Sequence, residues 1–175
     1  MLFLGLTSVA LAVPATNTVL ARKGCSGHGA LNARLNGAIN RDLEWSDADM
    51  SCAGSVRPDE SGLRLTAQGP LPGRDRSLRI LLGIAGARPG TDGRNLAANL
   101  TLIIGSPGRI YATRGDDKCT VDTLRQQALP AAAPDRPRWR VHARGFCIAP
   151  AATLDGRSRI LLSRFDLQTE LTLGD

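Results

Sequence analysis

Arg136, Arg138, Arg140, His142 and Arg144 share one parity along a single stretch, while Trp139, Val141, Ala143 and Cys147 occupy the other. In an extended strand, alternate side chains point to the same face about 7 Å apart. The pattern is therefore a comb of guanidinium groups on one side, with Trp139 and the Cys147 sulfur turned toward a core on the other. Guanidinium forks match the oxygens of phosphate, sulfate and carboxylate groups, so the chemistry offered by Arg136, Arg138, Arg140, His142 and Arg144 is anion binding. The competing use is internal. Asp166 and Glu170, on the last alternating stretch, can neutralise the comb as cross-strand pairs, each worth a fraction of a kcal/mol. Phe146 and Ile148 fall on the basic parity, so burying them requires a bulge at Gly145.

Other chemistries find less support. His28 and His142 are the only histidines, and Gly24-Cys25-Ser26-Gly27-His28 misses the G-x-S-x-G nucleophile elbow because its second glycine comes one position early. His28 is expected in a flexible loop. Cys25 and His28 have a C-x₂-H spacing, but the remaining cysteines are better used in disulfides than on zinc. Asp47, Asp49, Asp116 and Asp117 could approach a hard cation, yet the patterned EF-hand loop is missing and they read as turn residues. The glycines at 83, 86, 90 and 93 are not followed by Lys-Ser or Lys-Thr, which excludes a phosphate loop. Glu44, Glu60 and Glu170 are the only glutamates, and none stands in a context that nominates a glycosidase pair. No catalytic residue, metal ligand or cofactor is nominated.

The elements that would hold the comb read as strands. Leu31, Ala33, Leu35, Gly37 and Ile39 alternate with polar neighbours, and so do Leu63, Leu65 and Ala67. An apolar run over 78–84 and a β-branched run over 98–104 add two more. Ser106-Pro107-Gly108 then separates 98–104 from 109–113 as a hairpin with a three- or four-residue turn. In the last strand, Leu161, Phe165, Leu167, Leu171 and Leu173 are expected on one face, with Arg164, Asp166, Gln168 and Glu170 on the other. Around 121–129, Val121, Leu124 and Ala128 fit a short helix as well as Cys119, Val121 and Thr123 fit a strand. Gly- and Pro-rich loops fall at 86–93 and 130–137. Many short strands between such turns predict an all-β fold, a single antiparallel β-sandwich or jelly-roll-like barrel.

With 175 residues, 42% of them hydrophobic and 22% charged, the chain suits one globular domain and excludes a disordered protein. Residues 1–15 read as a secretory signal, cleaved after Ala12 or Ala15, although no Lys or Arg precedes the apolar run. Residues 16–30 read as a flexible N-terminal segment and 31–175 as the β domain. No apolar stretch reaches the roughly 20 residues of a membrane span. Four cysteines, Cys25, Cys52, Cys119 and Cys147, survive removal of the leader, and an even set in an exported domain implies two disulfides. Of three possible connectivities, Cys25–Cys52 with Cys119–Cys147 ties neighbouring segments within each half. Charged residues before Cys25 argue against a lipobox.

The net charge is +6, carried almost wholly by arginine, with Lys23 and Lys118 the only lysines. That balance allows anionic partners, and it is also what a GC-rich coding sequence would give. Beyond the leader the aromatic residues are Trp45, Tyr111, Trp139, Phe146 and Phe165, too few for the stacking platforms of nucleic-acid binding. The same scarcity leaves only Trp45 and Tyr111 as a sugar platform, against their ordinary use in a core. The function expected is that of an exported, non-catalytic domain, secreted or periplasmic, which binds through its Arg-lined face. Its partner would be an anionic polysaccharide, a lipid headgroup or an acidic protein. The runner-up is a small secreted hydrolase with a loop-built active site, followed by an inhibitor presenting the 86–93 loop as a rigid contact.

Overall fold

The computed structural model describes residues 25–73, 76–130, 133 and 135–173. The expected signal segment, and 16–24 of the expected flexible segment, lie outside them. Eleven strands form among the described residues: β1 (Ala30–Gly37), β2 (Arg41–Ser46), β3 (Ser51–Val56), β4 (Gly62–Pro70), β5 (Ser77–Ala85), β6 (Gly93–Ile104), β7 (Arg109–Ala112), β8 (Cys119–Leu129), β9 (Arg138–Cys147), β10 (Ala151–Ala152) and β11 (Arg159–Thr172). Seven of them close a barrel in the order β11, β9, β8, β6, β5, β4, β3. The seam is the parallel contact of Gly54 in β3 with Leu171 in β11. Every other pairing between these strands is antiparallel, so the all-β expectation holds and its barrel form is the one adopted.

Closure depends on two long strands that each serve two neighbours along one edge. β11 pairs β9 over Phe165–Thr172 and β10 at its start, while its other edge holds β1. β6 pairs β8 near its beginning and β7 near its end. The barrel wall is therefore split on one side, with β8 and β9 on one flank of the split and β7 and β10 on the other.

Alternation places Leu31, Ala33, Leu35, Leu63, Leu65, Ala67, Leu100, Leu102, Val141, Ala143 and Leu167 inside, all buried. The outer face carries the charged residues, the reverse of a lipid-spanning barrel. The hairpin expected at 106–108 forms, with Ile104 opposite Arg109 across a four-residue turn. Both disulfides join the pairs favoured from the sequence, Cys25–Cys52 and Cys119–Cys147. The second spans directly opposed positions of β8 and β9.

Three local readings are corrected. Residues 119–129 form a strand, and the short helix near 121–129 does not form. A bulge at Asp122 sets Val121 opposite Gly145 and Thr123 opposite Arg144. It turns Val121 and Leu124 inward together, which imitates helical spacing. In β11, Arg34 faces Arg164 but Leu35 faces Leu162, so Ser163 is an extra residue. Ile160 and Leu162 are buried in consequence, and Leu161 is only partly covered. Trp45 and Tyr111 are core residues and form no sugar platform: the Trp45 indole N–H donates to the Pro70 carbonyl at 2.9 Å.

Candidate functional site

β9 presents Arg138, Arg140, His142 and Arg144 outward, and β11 answers with Glu170, Gln168 and Asp166 in register. Arg138 forms an ion pair with Glu170, and both side chains are largely covered. His142 Nε2 lies 2.6 Å from Asp166 Oδ1, and Arg144 Nε lies 3.3 Å from the other oxygen of that carboxylate. Arg140 turns to the N-terminal segment, its Nη2 2.9 Å from His28 Nδ1. Arg140 Nε and Glu170 Oε2, on directly opposed residues, are buried without a hydrogen-bond partner among the described residues. Arg136 precedes β9, and its backbone N–H donates to the Ala133 carbonyl. The comb exists, but much of its charge is met by β11. The neighbouring β1–β2 surface is interleaved in the same way, with Arg34 and Arg164 both on Asp42. No bulge forms in β9, so Phe146 and Ile148 stay exposed.

His28 faces a guanidinium rather than a hydroxyl, because the segment from Cys25 to Gly29 wraps around Asp47. That carboxylate accepts the backbone N–H groups of Cys25 at 2.9 Å, Gly27 at 3.1 Å and Gly29 at 2.7 Å. Asp49 closes its own turn on Ser46, Asp116 pairs with Arg57 and Asp117 with Lys118. These four carboxylates thus have structural partners. Burial pushes the Asp47 carboxyl up, but the backbone donors of Gly29, Cys25, Gly27 and His28 outweigh it and hold the group below its ordinary value of 3.8. A group depressed on folding stabilises fully above its unfolded pKa, and that share disappears as pH falls through the lower folded value. Asp47→Asn is therefore expected to lower the melting temperature at neutral pH and to flatten its decline below about pH 4. Melting curves of both proteins across the acid range test this. Identical acid profiles would show that Asp47 does not hold the segment.

Two adjoining grooves lie at the split in the wall, where no contiguous sequence pattern pointed. Ala112 of β7, Ala152 of β10 and Arg159 of β11 lie in one row across three strands. Ala151 and Ile160 are the buried pair on one side of that row, and Tyr111, its hydroxyl 3.1 Å from the Ser158 hydroxyl, is buried on the other. Outside that row lies a groove of about 710 Å³, walled by Ile110, Arg114, Lys118, Pro150 and Leu154. Three cations line it and no carboxylate does among the described residues. An adjoining groove adds Arg109 and Arg157, with Asp155 as its acid. No protein-family model, curated protein or solved structure matches this chain. Function must therefore be argued from the site itself.

The 153–158 loop that forms one wall is held by its own hydrogen bonds. Thr153 N–H donates to the Ser158 carbonyl at 3.0 Å, Gly156 N–H to the Thr153 carbonyl at 2.9 Å, and the Thr153 hydroxyl to Asp155 at 2.6 Å. The opposite wall is equally tied, since the N–H groups of Ile148 and Ala149 both donate to the Lys118 carbonyl. The 86–93 loop, by contrast, is fastened to β8: Gln126 bonds the Gly90 N–H and the carbonyls of Arg88 and Thr91.

Proposed function

We propose that this chain is an exported, non-catalytic binding domain that engages an anionic partner through basic residues on the outside of its barrel. The carrying observation is the convergence of Arg114, Lys118 and Arg159 on one groove whose lining holds no carboxylate among the described residues. Lys118 shares its charge with Asp117 outside the groove, so Arg114 and Arg159 carry most of the field offered to a ligand, since cations paired with an acid spend part of theirs internally. The β9 stripe of Arg136, Arg138, Arg140, His142 and Arg144 flanks this groove along the same edge of β11 and supplies a secondary contact. Export is supported by the apolar leader and by the engagement of all four cysteines in disulfides, the habit of chains that fold in an oxidising compartment. No helix among the described residues is long and apolar enough to cross a membrane.

The test compares the oxidised protein with an Arg114→Ser/Lys118→Ser/Arg159→Ser variant for binding to anionic glycans and anionic vesicles across a salt series. Wild-type binding is expected to weaken as screening rises, and the variant should lose about tenfold in affinity or more at low salt. Salt-insensitive binding, or equal binding by both proteins, would overturn the assignment. A matching Arg138→Ser/Arg140→Ser/Arg144→Ser variant ranks the stripe, but it also strips the covered Glu170 of its partner. Its melting temperature must therefore be read alongside its affinity.

A further inference from the structure

Among the described residues only four large apolar side chains remain well exposed, and they gather at the split in the barrel wall. Leu154 is 96% exposed, Ile148 69%, Ile110 55% and Phe146 37%. Ile110 and Leu154 line the cationic groove itself, and Ile148 leads directly into its Ala149 and Pro150 wall. Phe146 lies two residues earlier, on the outward face of β9 near its end. Single exposed apolar residues are ordinary, but an apolar cluster rimmed by polar residues marks a contact surface, and here the rim holds more cations than acids, with Arg109, Arg114, Lys118, Arg157 and Arg159 against Asp155.

The support beneath these side chains narrows the kind of contact. Leu154 stands at the head of a loop closed by the Thr153, Asp155, Gly156 and Ser158 hydrogen bonds, so its projection into solvent is fixed rather than incidental. Ile148 is held by the Lys118 carbonyl next to the Cys119–Cys147 disulfide. A soluble polyanion would use Arg114, Lys118 and Arg159 and give Leu154 and Ile148 nothing to bury against. An anionic bilayer surface uses both. Apolar tips enter the region between headgroups and acyl chains, while basic side chains meet the phosphates, with their methylene stems lying along the apolar boundary.

We propose that the end of the barrel formed by β7, β10 and the 153–158 loop docks on a bilayer rich in anionic lipid. Leu154, Ile148 and Ile110 enter the interface, and Arg114, Lys118 and Arg159 contact the headgroups. This rests on the anion-binding reading above and names its partner.

The experiment is co-sedimentation of the oxidised protein, as its host exports it, with equimolar phosphatidylglycerol and phosphatidylcholine vesicles, and separately with phosphatidylcholine alone. Each measurement is repeated with Leu154→Ser and with Ile110→Ser/Ile148→Ser/Leu154→Ser, and every protein is also tested against soluble heparin as a polyanion without acyl chains. All three substituted side chains are exposed, and unchanged melting temperatures verify the fold. The expected result is binding to the mixed vesicles and not to phosphatidylcholine alone, reduced about tenfold or more in the triple serine variant, with heparin binding reduced far less by that variant. Equal vesicle binding by wild type and both apolar variants overturns the membrane proposal while leaving the anion-binding reading standing. Heparin binding without vesicle binding does the same. Binding to neither probe overturns both. A concentration-dependent dimer lost in Leu154→Ser would assign the patch to a second copy and overturn the membrane proposal.

Discussion

Replacing Cys119 and Cys147 together by serine is expected to lower the unfolding free energy by about 3–4 kcal/mol, the chain-entropy value for a closed loop of this length. The bridge spans 28 residues of sequence and joins opposed positions at one end of the β8–β9 ladder. For a domain whose whole stability is on the order of 5–15 kcal/mol, that is a large share. The loss should also reach the groove. Lys118 and Ile148 are the chain neighbours of the two cysteines, and the Lys118 carbonyl holds both Ile148 and Ala149. The serine variant is therefore expected to bind anionic vesicles more weakly even at temperatures where it is fully folded. Urea unfolding of the oxidised and serine proteins gives the first quantity, and co-sedimentation well below the melting transition gives the second. A stability loss under about 1 kcal/mol would mean that the β8–β9 ladder holds its register without the bridge.

Legibility in the sequence follows how local each feature is. The strands at 30–37 and 62–70 could be read because strict alternation survives in a strand that carries no extra residue of its own, and 98–104 because its apolar, β-branched run stands before a turn. The disulfide pairs could be read because each joins segments close in sequence. Reading failed where one inserted residue broke the parity. Asp122 made β8 resemble a helix, and Ser163 transferred the inward role from Leu161 to Ile160 and Leu162. Bulges are set by the partner strand and by barrel closure, neither of which one segment encodes alone. The same distinction governs the candidate site. The Arg138–Arg144 stripe was visible because it lies on one strand, whereas the groove gathers Ile110, Arg114, Lys118, Leu154 and Arg159 from β7, β11 and two connections. Its one sequence signal was Leu154 itself, a bulky apolar residue inside the turn-rich Thr153-Leu154-Asp155-Gly156.

Gly145→Ala is expected to destabilise the protein by more than about 3 kcal/mol, beyond the usual range for overpacking, because the obstruction is backbone. Gly145 faces the barrel interior from β9 and is paired on both edges, to Val121 of β8 and Phe165 of β11. A methyl group there would sit 2.0 Å from the Thr120 carbonyl oxygen and 2.9 Å from the tip of the Phe165 ring. The ring occupies the space that the glycine leaves, a filling device natural sheets use beside a bare backbone position. Its removal alone cannot accommodate the methyl group, since the carbonyl belongs to the bulged stretch of β8 and is fixed by the ladder on which the Cys119–Cys147 bridge closes. A double-mutant cycle separates the two obstacles. If the carbonyl dominates, Gly145→Ala costs nearly as much in a Phe165→Leu background as in the wild type. If the ring dominates, Phe165→Leu recovers most of the loss, and the bulge at Asp122 is softer than the ladder implies. The first outcome would make the tight β8–β9–β11 junction a rigid hub. Through that hub one strand, β11, holds both the basic stripe on β9 and, by way of β10, the floor of the groove at the split.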